Sequence, residues 1–276
     1  MVITCVPNAK PTESCYAYRS GNLFIIGNEE ISQTFRWNNG NLQLMEVKDK
    51  VTGKAVGFAL ENSISSNVGD LALPFVNAKP ANGGFEQKIT AKSDKEPQYL
   101  NVNIFFDLDD VRVKRVFKVY AGIAAITSHY EFKGKGTFNR TEAAKDWDDS
   151  KEMIEDADFH TTDDNEVSVM GNVPLNSNHW KFRFVEFTET TDHNNTLVQE
   201  DTYLAYRKPA RVRGNLVLAR NKSLETGFFI LKESPSSDNQ QYYPGYDFSF
   251  SQNQIRVFGT GVHAADLKED EWLRGY

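Results

Sequence analysis

Hydrophobic and polar residues alternate along much of the chain with the two-residue period of β-strands. In segment 111–119, four apolar residues fall on one face and three cationic residues on the other: Val111, Val113, Phe117 and Val119 against Arg112, Lys114 and Lys118. After Gly122 the alternation resumes and continues over residues 123–132. This pattern predicts a pair of antiparallel strands, each with one buried and one solvated face.

The same period predicts further short strands along the chain. Residues 31–37 and 42–47 flank Asn38-Asn39-Gly40, and an Asn-Gly pair favours a tight hairpin because both residues tolerate positive φ. Thr52-Gly53 marks the next turn. Other short runs are predicted strands: 180–184, 216–219, 227–231, 248–250 and 255–258. The best helix candidate, 142–154, is so acidic that we expect a loop or one short helix there.

Many short antiparallel strands without a Pro- or Ser-rich linker predict one large all-β domain. The chain has 276 residues, with 19 Phe, 11 Tyr and 4 Trp available for a core. We expect two antiparallel sheets in a sandwich. The sandwich would occupy residues 21–276, after an N-terminal extension over residues 1–20. Trp37 and Trp180, which alternate with polar neighbours, are predicted core residues.

The charge distribution narrows the classes of partner. The formal charge is −7, and segment 142–166 alone carries −9 because it contains eleven acidic residues and two lysines. A protein that binds nucleic acid or an anionic membrane surface needs a cationic face, so we expect neither partner. No apolar run approaches the ~18 residues of a membrane-spanning helix. Neutral small molecules and sugars stay open as ligands.

The sequence lacks the motifs of common catalytic and metal sites. Its five histidines form no HxH or HExxH pair, and no GxSxG, GxGxxG or Walker A motif occurs. Asp146, Asp148, Ser150 and Glu152 alternate like the start of a calcium loop, but Ala157 stands where the loop needs glutamate. We therefore predict no metal site and no cofactor.

Two cysteines, Cys5 and Cys15, lie near the N-terminus. Two are too few for a disulfide framework, and they could either pair with each other or both stay free. Neither has an obvious base beside it in the sequence, so we expect no catalytic thiol.

Aromatic residues are the candidates for a carbohydrate site, because the C–H faces of sugars stack on rings in sites that are mostly apolar. Tyr242, Tyr243 and Tyr246 surround a Pro-Gly pair, and Trp272 lies near the end of the sequence. These tyrosines could form a sugar platform. The alternative is that they pack beneath a turn.

Short motifs follow one another in a characteristic order at both ends of the chain. The opening contains NLFIIGN (22–28), TFRW (34–37), NG (39–40) and DKVTGK (49–54). The end contains RGNL (213–216), GFFILKE (227–233), YDF (246–248), GTGVH (259–263), DL (266–267) and EDEWLRGY (269–276). This order resembles the N-terminal domain of family 36 glycoside hydrolases, which are α-galactosidases and their relatives. The resemblance covers most of the chain.

The resemblance implies a fold, and it implies which domain of the enzyme carries the catalytic residues. The fold is the galactose-mutarotase-like β-supersandwich, and in the family a (β/α)8 barrel follows it. The family's nucleophile and general acid/base are aspartates of that barrel, so no acidic residue of this chain inherits a catalytic role.

The expected function is therefore that of a non-catalytic N-terminal domain cut from a longer retaining glycoside hydrolase. It would pack on its own catalytic barrel and shape the site for an α-galactoside or related oligosaccharide. A homo-oligomer stays open as a further assembly. No signal peptide is visible, and the compartment stays open between the cytoplasm and the periplasm or exterior.

Two other functions remain alternatives. One is a stand-alone aldose mutarotase or epimerase on the same fold, in which His129 and Glu131, on one face of a strand, would move protons on the sugar ring. The other is a carbohydrate-binding module that uses the loop with Tyr242, Tyr243 and Tyr246.

Overall fold

The structure is a computed structural model that describes residues 14–57, 69–73, 76, 78–135, 168–177, 179–187, 198–204, 210–233, 246–250, 254–262 and 264–275. Eighteen strands form within these residues: β1 (Tyr16–Ser20), β2 (Leu23–Gly27), β3 (Ile31–Arg36), β4 (Gln43–Asp49), β5 (Ala55–Gly57), β6 (Ala81–Thr90), β7 (Tyr99–Leu108), β8 (Val111–Val119), β9 (Ile126–Gly134), β10 (Val169–Pro174), β11 (Trp180–Phe187), β12 (Val198–Leu204), β13 (Ala210–Val212), β14 (Leu216–Asn221), β15 (Thr226–Leu231), β16 (Phe248–Phe250), β17 (Gln254–Phe258) and β18 (Leu273–Arg274).

The strands form four antiparallel sheets. Sheet 1 is the meander β1-β2-β3-β4-β5, and sheet 2 has the order β18-β9-β8-β7-β6. Sheet 3 has the order β10-β17-β16-β13, and sheet 4 the order β12-β11-β14-β15. The described residues include one short 3-10 helix (Ala264–Asp266), and no helix among them is long and apolar enough to span a membrane. The predicted all-β antiparallel fold class is confirmed, but the described strands form four sheets instead of the two expected.

The sheets pack face to face in two pairs. Apolar side chains of sheets 1 and 2 share one core, which includes Phe24, Phe35, Val102 and Phe117. Sheets 3 and 4 share a second core, which includes Trp180, Phe182, Phe248 and Ile255. Strand β10 lies against β4 and β5, so the two pairs meet at that point. Trp37 and Trp180 are only 9% and 1% exposed, and their predicted core positions are confirmed.

Local sequence signals account for the first hairpin. Asn39 and Gly40 adopt positive φ between β3 and β4, as the Asn-Gly pair predicts. Gly53, also at positive φ, turns the chain from β4 into β5. The hairpin of β8 and β9 is confirmed as well, with pairing along the whole of both strands.

Two predicted boundaries are corrected. Strand β9 begins at Ile126 instead of Ile123, because the backbone carbonyls of Tyr120 and Ile123 both accept hydrogen bonds from Asn28 Nδ2. The predicted extension over residues 1–20 includes β1, which pairs along its length with β2. Residues 1–13 and the acidic segment 142–166, with its helix candidate and calcium-like pattern, lie outside the described residues.

Candidate functional site

Polar and aromatic side chains that are distant in the sequence lie together on the outer face of sheet 2. Directly opposite residues of antiparallel strands project to the same face. The register therefore aligns Phe105, Lys114 and Glu131 in one row across β7, β8 and β9. The next row contains Arg112 and Lys133. This surface, which we call the outer face, is the candidate site.

The C-terminal strand adds Trp272 to the outer face. Strand β18 forms the edge of the sheet and pairs with β9, and the Gly275 amide donates a hydrogen bond to the Tyr130 carbonyl (2.8 Å). The half-buried Trp272 ring has Lys114 Nζ above it, 4.5 Å from its centroid, and the Phe105 ring 6.4 Å away. A cation this close to an indole face is attracted by its quadrupole. Side chains from two neighbouring strands, Phe105 on β7 and Lys114 on β8, thus hold the Trp272 ring.

His129 and Glu131 lie side by side on β9, as the sequence predicts. His129 Nε2 is 3.2 Å from Glu131 Oε1, and Lys114 Nζ forms an ion pair with Glu131 Oε2. Burial would raise the pKa of Glu131, but the bonds from Lys114 and His129 hold it below its ordinary value. Burial lowers the pKa of His129, against the pull of Glu131. The pair is therefore a neutral imidazole beside an ionised, bridged carboxylate near neutral pH.

A second ion pair extends the polar face toward the loop before β7. Lys118 Nζ and Tyr120 Oη each donate a hydrogen bond of 2.6 Å to Glu96 Oε1. Burial would raise the pKa of Glu96, but these donors hold it below its ordinary value. Burial and the Glu96 acceptor raise the pKa of Tyr120, so this phenol stays protonated near neutral pH.

A cavity of about 430 Å³ opens beside Trp272. Its lining combines aromatic, cationic and acidic side chains with one glycine: Phe105, Arg112, Lys133, Gly134, Lys135, Glu269 and Trp272. Asp107 stands next to it, with Lys135 Nζ 2.9 Å and Arg112 Nε 3.9 Å from its carboxylate oxygens. Asn82 also donates to Asp107 Oδ2 (2.8 Å), whereas the buried Oδ1 accepts no hydrogen bond among the described residues.

Two ion pairs lie in the core that the sequence pattern did not predict. Arg115 lies on the inward face of β8, where it pairs with Asp70 at 2.9 Å. Its guanidinium also lies over the ring of Tyr130, 5.2 Å from the centroid. The two-residue period of β8 places Arg115 on the same face as the buried valines. A cation on this apolar face is the sequence signal that could have indicated a buried ion pair.

The second core pair joins Lys232 and Asp247 at 2.6 Å, with side chains 2% and 0% exposed. Asp247 Oδ2 also accepts a hydrogen bond from the Gly214 amide (3.0 Å). All three residues belong to motifs that carry the family resemblance. They come together in the interior of the protein, where the side chains of the ion pair are almost fully buried.

The sequence-predicted aromatic candidates separate in the structure. Tyr246 is 1% exposed and packs edge-on against Phe258 with ring centroids 5.0 Å apart, so its predicted sugar contact is wrong. The apolar core takes up its ring, and a buried face cannot stack on a sugar. Tyr242 and Tyr243 lie outside the described residues. Of the two candidates that the structure describes, Trp272 is the one on the outer face.

The cysteines and metal-ligating residues add no second site within the described ranges. Cys15 Sγ is 3.6 Å from the Val119 carbonyl, and burial raises the pKa of this thiol. Cys5 lies outside those ranges. Among the residues that the structure describes, no group of three or more His, Cys, Asp or Glu side chains could hold a metal ion.

Comparisons with known proteins give little beyond this geometry. No family model matches the sequence, and no curated protein matches it. A solved structure that matches is a TPR-domain containing protein from Parabacteroides distasonis ATCC 8503, with 10% identity and a TM-score of 0.36. The match covers 91% of this chain, which spans 44% of the length of that protein.

Proposed function

We propose that this chain is the non-catalytic N-terminal domain of an α-galactosidase-like retaining glycoside hydrolase. In this proposal it packs on the catalytic barrel and shapes the site for an α-galactoside or related oligosaccharide. The ordered motifs at the two ends of the sequence motivate the proposal. The all-β antiparallel sandwich agrees with the fold that the resemblance implies.

The observation that carries the proposal is the position of the residues behind the resemblance. Lys232, Asp247 and Gly214 bond to one another in the interior, and the segment around Trp272 closes the edge of sheet 2. These positions are those of residues that stabilise a scaffold. A domain whose shared motifs maintain its fold fits a supporting role beside a separate catalytic unit.

The geometry of His129 and Glu131 supports a non-catalytic role over the mutarotase alternative. An acid or base that moves protons on a sugar must reach it with a free proton-donating or proton-accepting atom. His129 Nε2 and Glu131 Oε1 are already in contact at 3.2 Å, and Lys114 holds the other carboxylate oxygen. Neither Glu131 oxygen is therefore free to take a proton from a sugar in this arrangement.

The first experiment reads the coding region beyond the codon for Tyr276. We expect an open frame that encodes alternating strands and helices, with aspartates at strand ends. The product of that longer frame should hydrolyse a chromogenic α-galactoside, whereas the 276-residue chain alone should not. A stop codon directly after Tyr276 would refute the proposal.

The mutarotase alternative has its own assay. The purified chain is added to fresh α-glucose or α-galactose, and the rotation of polarised light is followed. We expect the same rate as in buffer, and the same result for His129→Gln. Acceleration by the chain that His129→Gln abolishes would favour the alternative.

A further inference from the structure

The cavity beside Trp272 lies at one corner of the outer face. Its walls come from the second half of β7, the start of β8, the end of β9 and the segment before β18. Regular pairing anchors the three strand walls, and the hydrogen bond from the Gly134 amide to the Lys268 carbonyl (3.0 Å) ties the segment before β18 to β9. The cavity is therefore a formed feature of the sheet corner.

The cavity is cationic although the chain as a whole is acidic. Among the described residues, Arg112, Lys133 and Lys135 line it, against one acid, Glu269. Asp107 engages Lys135 and, at longer range, Arg112. Lys133 Nζ has neither an ion pair nor a hydrogen bond within the described part of the chain. A cavity with an uncommitted ammonium group attracts an anion, and Arg and Lys donors bind carboxylate or sulfate oxygens with charge-assisted hydrogen bonds.

Aromatic surface meets this cationic wall. Trp272 and Phe105 both contribute to the lining, with ring centroids 6.4 Å apart. Lys114 fixes Trp272 by its position over the ring and is itself fixed by Glu131. A ligand that fills the cavity thus meets ring faces on one side and ammonium or guanidinium groups on the other.

We propose that this cavity binds an anionic sugar. The carboxylate or sulfate group would bind Lys133 with Arg112 and Lys135, and the C–H face of the sugar ring would lie against Trp272. The mixture of indole surface and cations in a solvent-open cavity fits a charged saccharide better than a wholly apolar ligand. This proposal does not rest on the domain's role beside a barrel, and either can fail without the other.

The test follows the indole N–H signals of the ¹⁵N-labelled chain during titration. The Trp272 signal is assigned from its loss in Trp272→Phe. The probes are D-galacturonate and D-galactose 6-sulfate, matched against neutral D-galactose. We expect saturable shifts of the Trp272 signal with at least one anionic sugar and weaker binding of galactose. The anionic sugar that binds more tightly identifies carboxylate or sulfate as the preferred group.

Two further probes separate the parts of the site. Inorganic sulfate tests the cations alone, and benzoate tests a flat aromatic carboxylate. We expect both to bind more weakly than the better anionic sugar. Equal binding of inorganic sulfate and galactose 6-sulfate, or tighter binding of benzoate than of galacturonate, would overturn the sugar assignment.

Variants test the cationic wall. Lys133→Gln should weaken binding of the anionic sugar about fivefold, since one partly exposed charge pair is removed. Lys48→Gln is the matched control, because Lys48 is an exposed lysine on β4 in sheet 1. It should leave the affinity unchanged. An unchanged affinity in Lys133→Gln, or an equal affinity of the native chain for galactose and galacturonate, would refute the proposal.

Discussion

Removal of one buried lysine should destabilise the protein far more than removal of an exposed one. Lys232 Nζ is 2.6 Å from Asp247 Oδ1 in the interior. Burial lowers the pKa of Lys232, and Asp247 opposes this shift. In Lys232→Met the ammonium disappears and Asp247 remains buried. The Gly214 amide still donates to its other oxygen, but the hydrogen bond and the charge that Lys232 supplies at Oδ1 are lost.

The magnitude follows from the burial of the pair. Removal of one partner from a buried ion pair costs about 3–5 kcal/mol, because the other charge stays in a medium that solvates it poorly. For a chain of this size such a loss lowers Tm by roughly 6–15 °C. The pair Lys54–Glu225 provides the comparison, with an N–O distance of 3.4 Å and side chains 39% and 82% exposed. Water screens this pair, so Lys54→Met should cost about 0–1 kcal/mol.

The assay is urea unfolding followed by tryptophan fluorescence for the native chain, Lys232→Met, Asp247→Asn and the double variant. Asp247→Asn retains an acceptor for the Gly214 amide. Because the two side chains act as a unit, the double variant should cost at least about 2 kcal/mol less than the sum of the single variants. Lys54→Met runs in parallel as the exposed control. If Lys232→Met costs no more than Lys54→Met, or if the single costs are additive, the reasoning is refuted.

Three further predictions use the same unfolding assay. The lowered pKa of Glu131 adds stability that is present above about pH 4.5 and is lost as the pH falls through the pKa of the folded state. In Glu131→Gln the free energy of unfolding should therefore fall less steeply as the pH is lowered. An unchanged dependence on pH would contradict this. Asn28→Ala should cost about 2–4 kcal/mol, because the amide bonds four backbone groups; a loss below about 1 kcal/mol would refute it. Gly40→Ala should cost more than Gly53→Ala, since both have positive φ but only the first Cβ would lie 2.6 Å from the Phe105 carbonyl oxygen; equal costs would exclude this clash.

The strands that sequence predicts well are those whose signal is local. Segment 111–119 becomes β8 without a shift at either end, because apolar and cationic residues alternate on both sides of the interruption at Arg115 and Val116. The turn at Asn39 and Gly40 follows from backbone preference alone. In contrast, β1 has only five residues, three of them exposed, and its pattern is too short to stand out from an extension. Pairing with β2 makes it a strand, and that pairing is a non-local event.

The buried ion pairs show where local pattern fails. Arg115 occupies a core position that alternation assigns to an apolar residue, and Asp70 reaches it from a loop 45 residues away. Tyr246 follows a Pro-Gly pair, which is typical of an exposed turn, yet its ring packs on Phe258. In each case the partner lies on another strand or loop, and one sequence does not tell which distant residue it will meet. Periodicity gives the face of a residue but not its neighbours across the core.

The candidate site also combines contacts that follow from sequence spacing with contacts that depend on the fold, and this difference bears on where a ligand binds. The two-residue spacing of His129 and Glu131 puts them on one face, and the structure adds their direct contact. Lys114 joins them through the register of β8 and β9, and Trp272 through β18. These contacts engage Glu131 in a bridge instead of leaving it open to a substrate. We therefore expect a ligand to bind in the adjacent cavity, where Lys133 Nζ has neither an ion pair nor a hydrogen bond within the described residues. That corner, assembled from four separate stretches of chain, is where recognition by this domain should be sought.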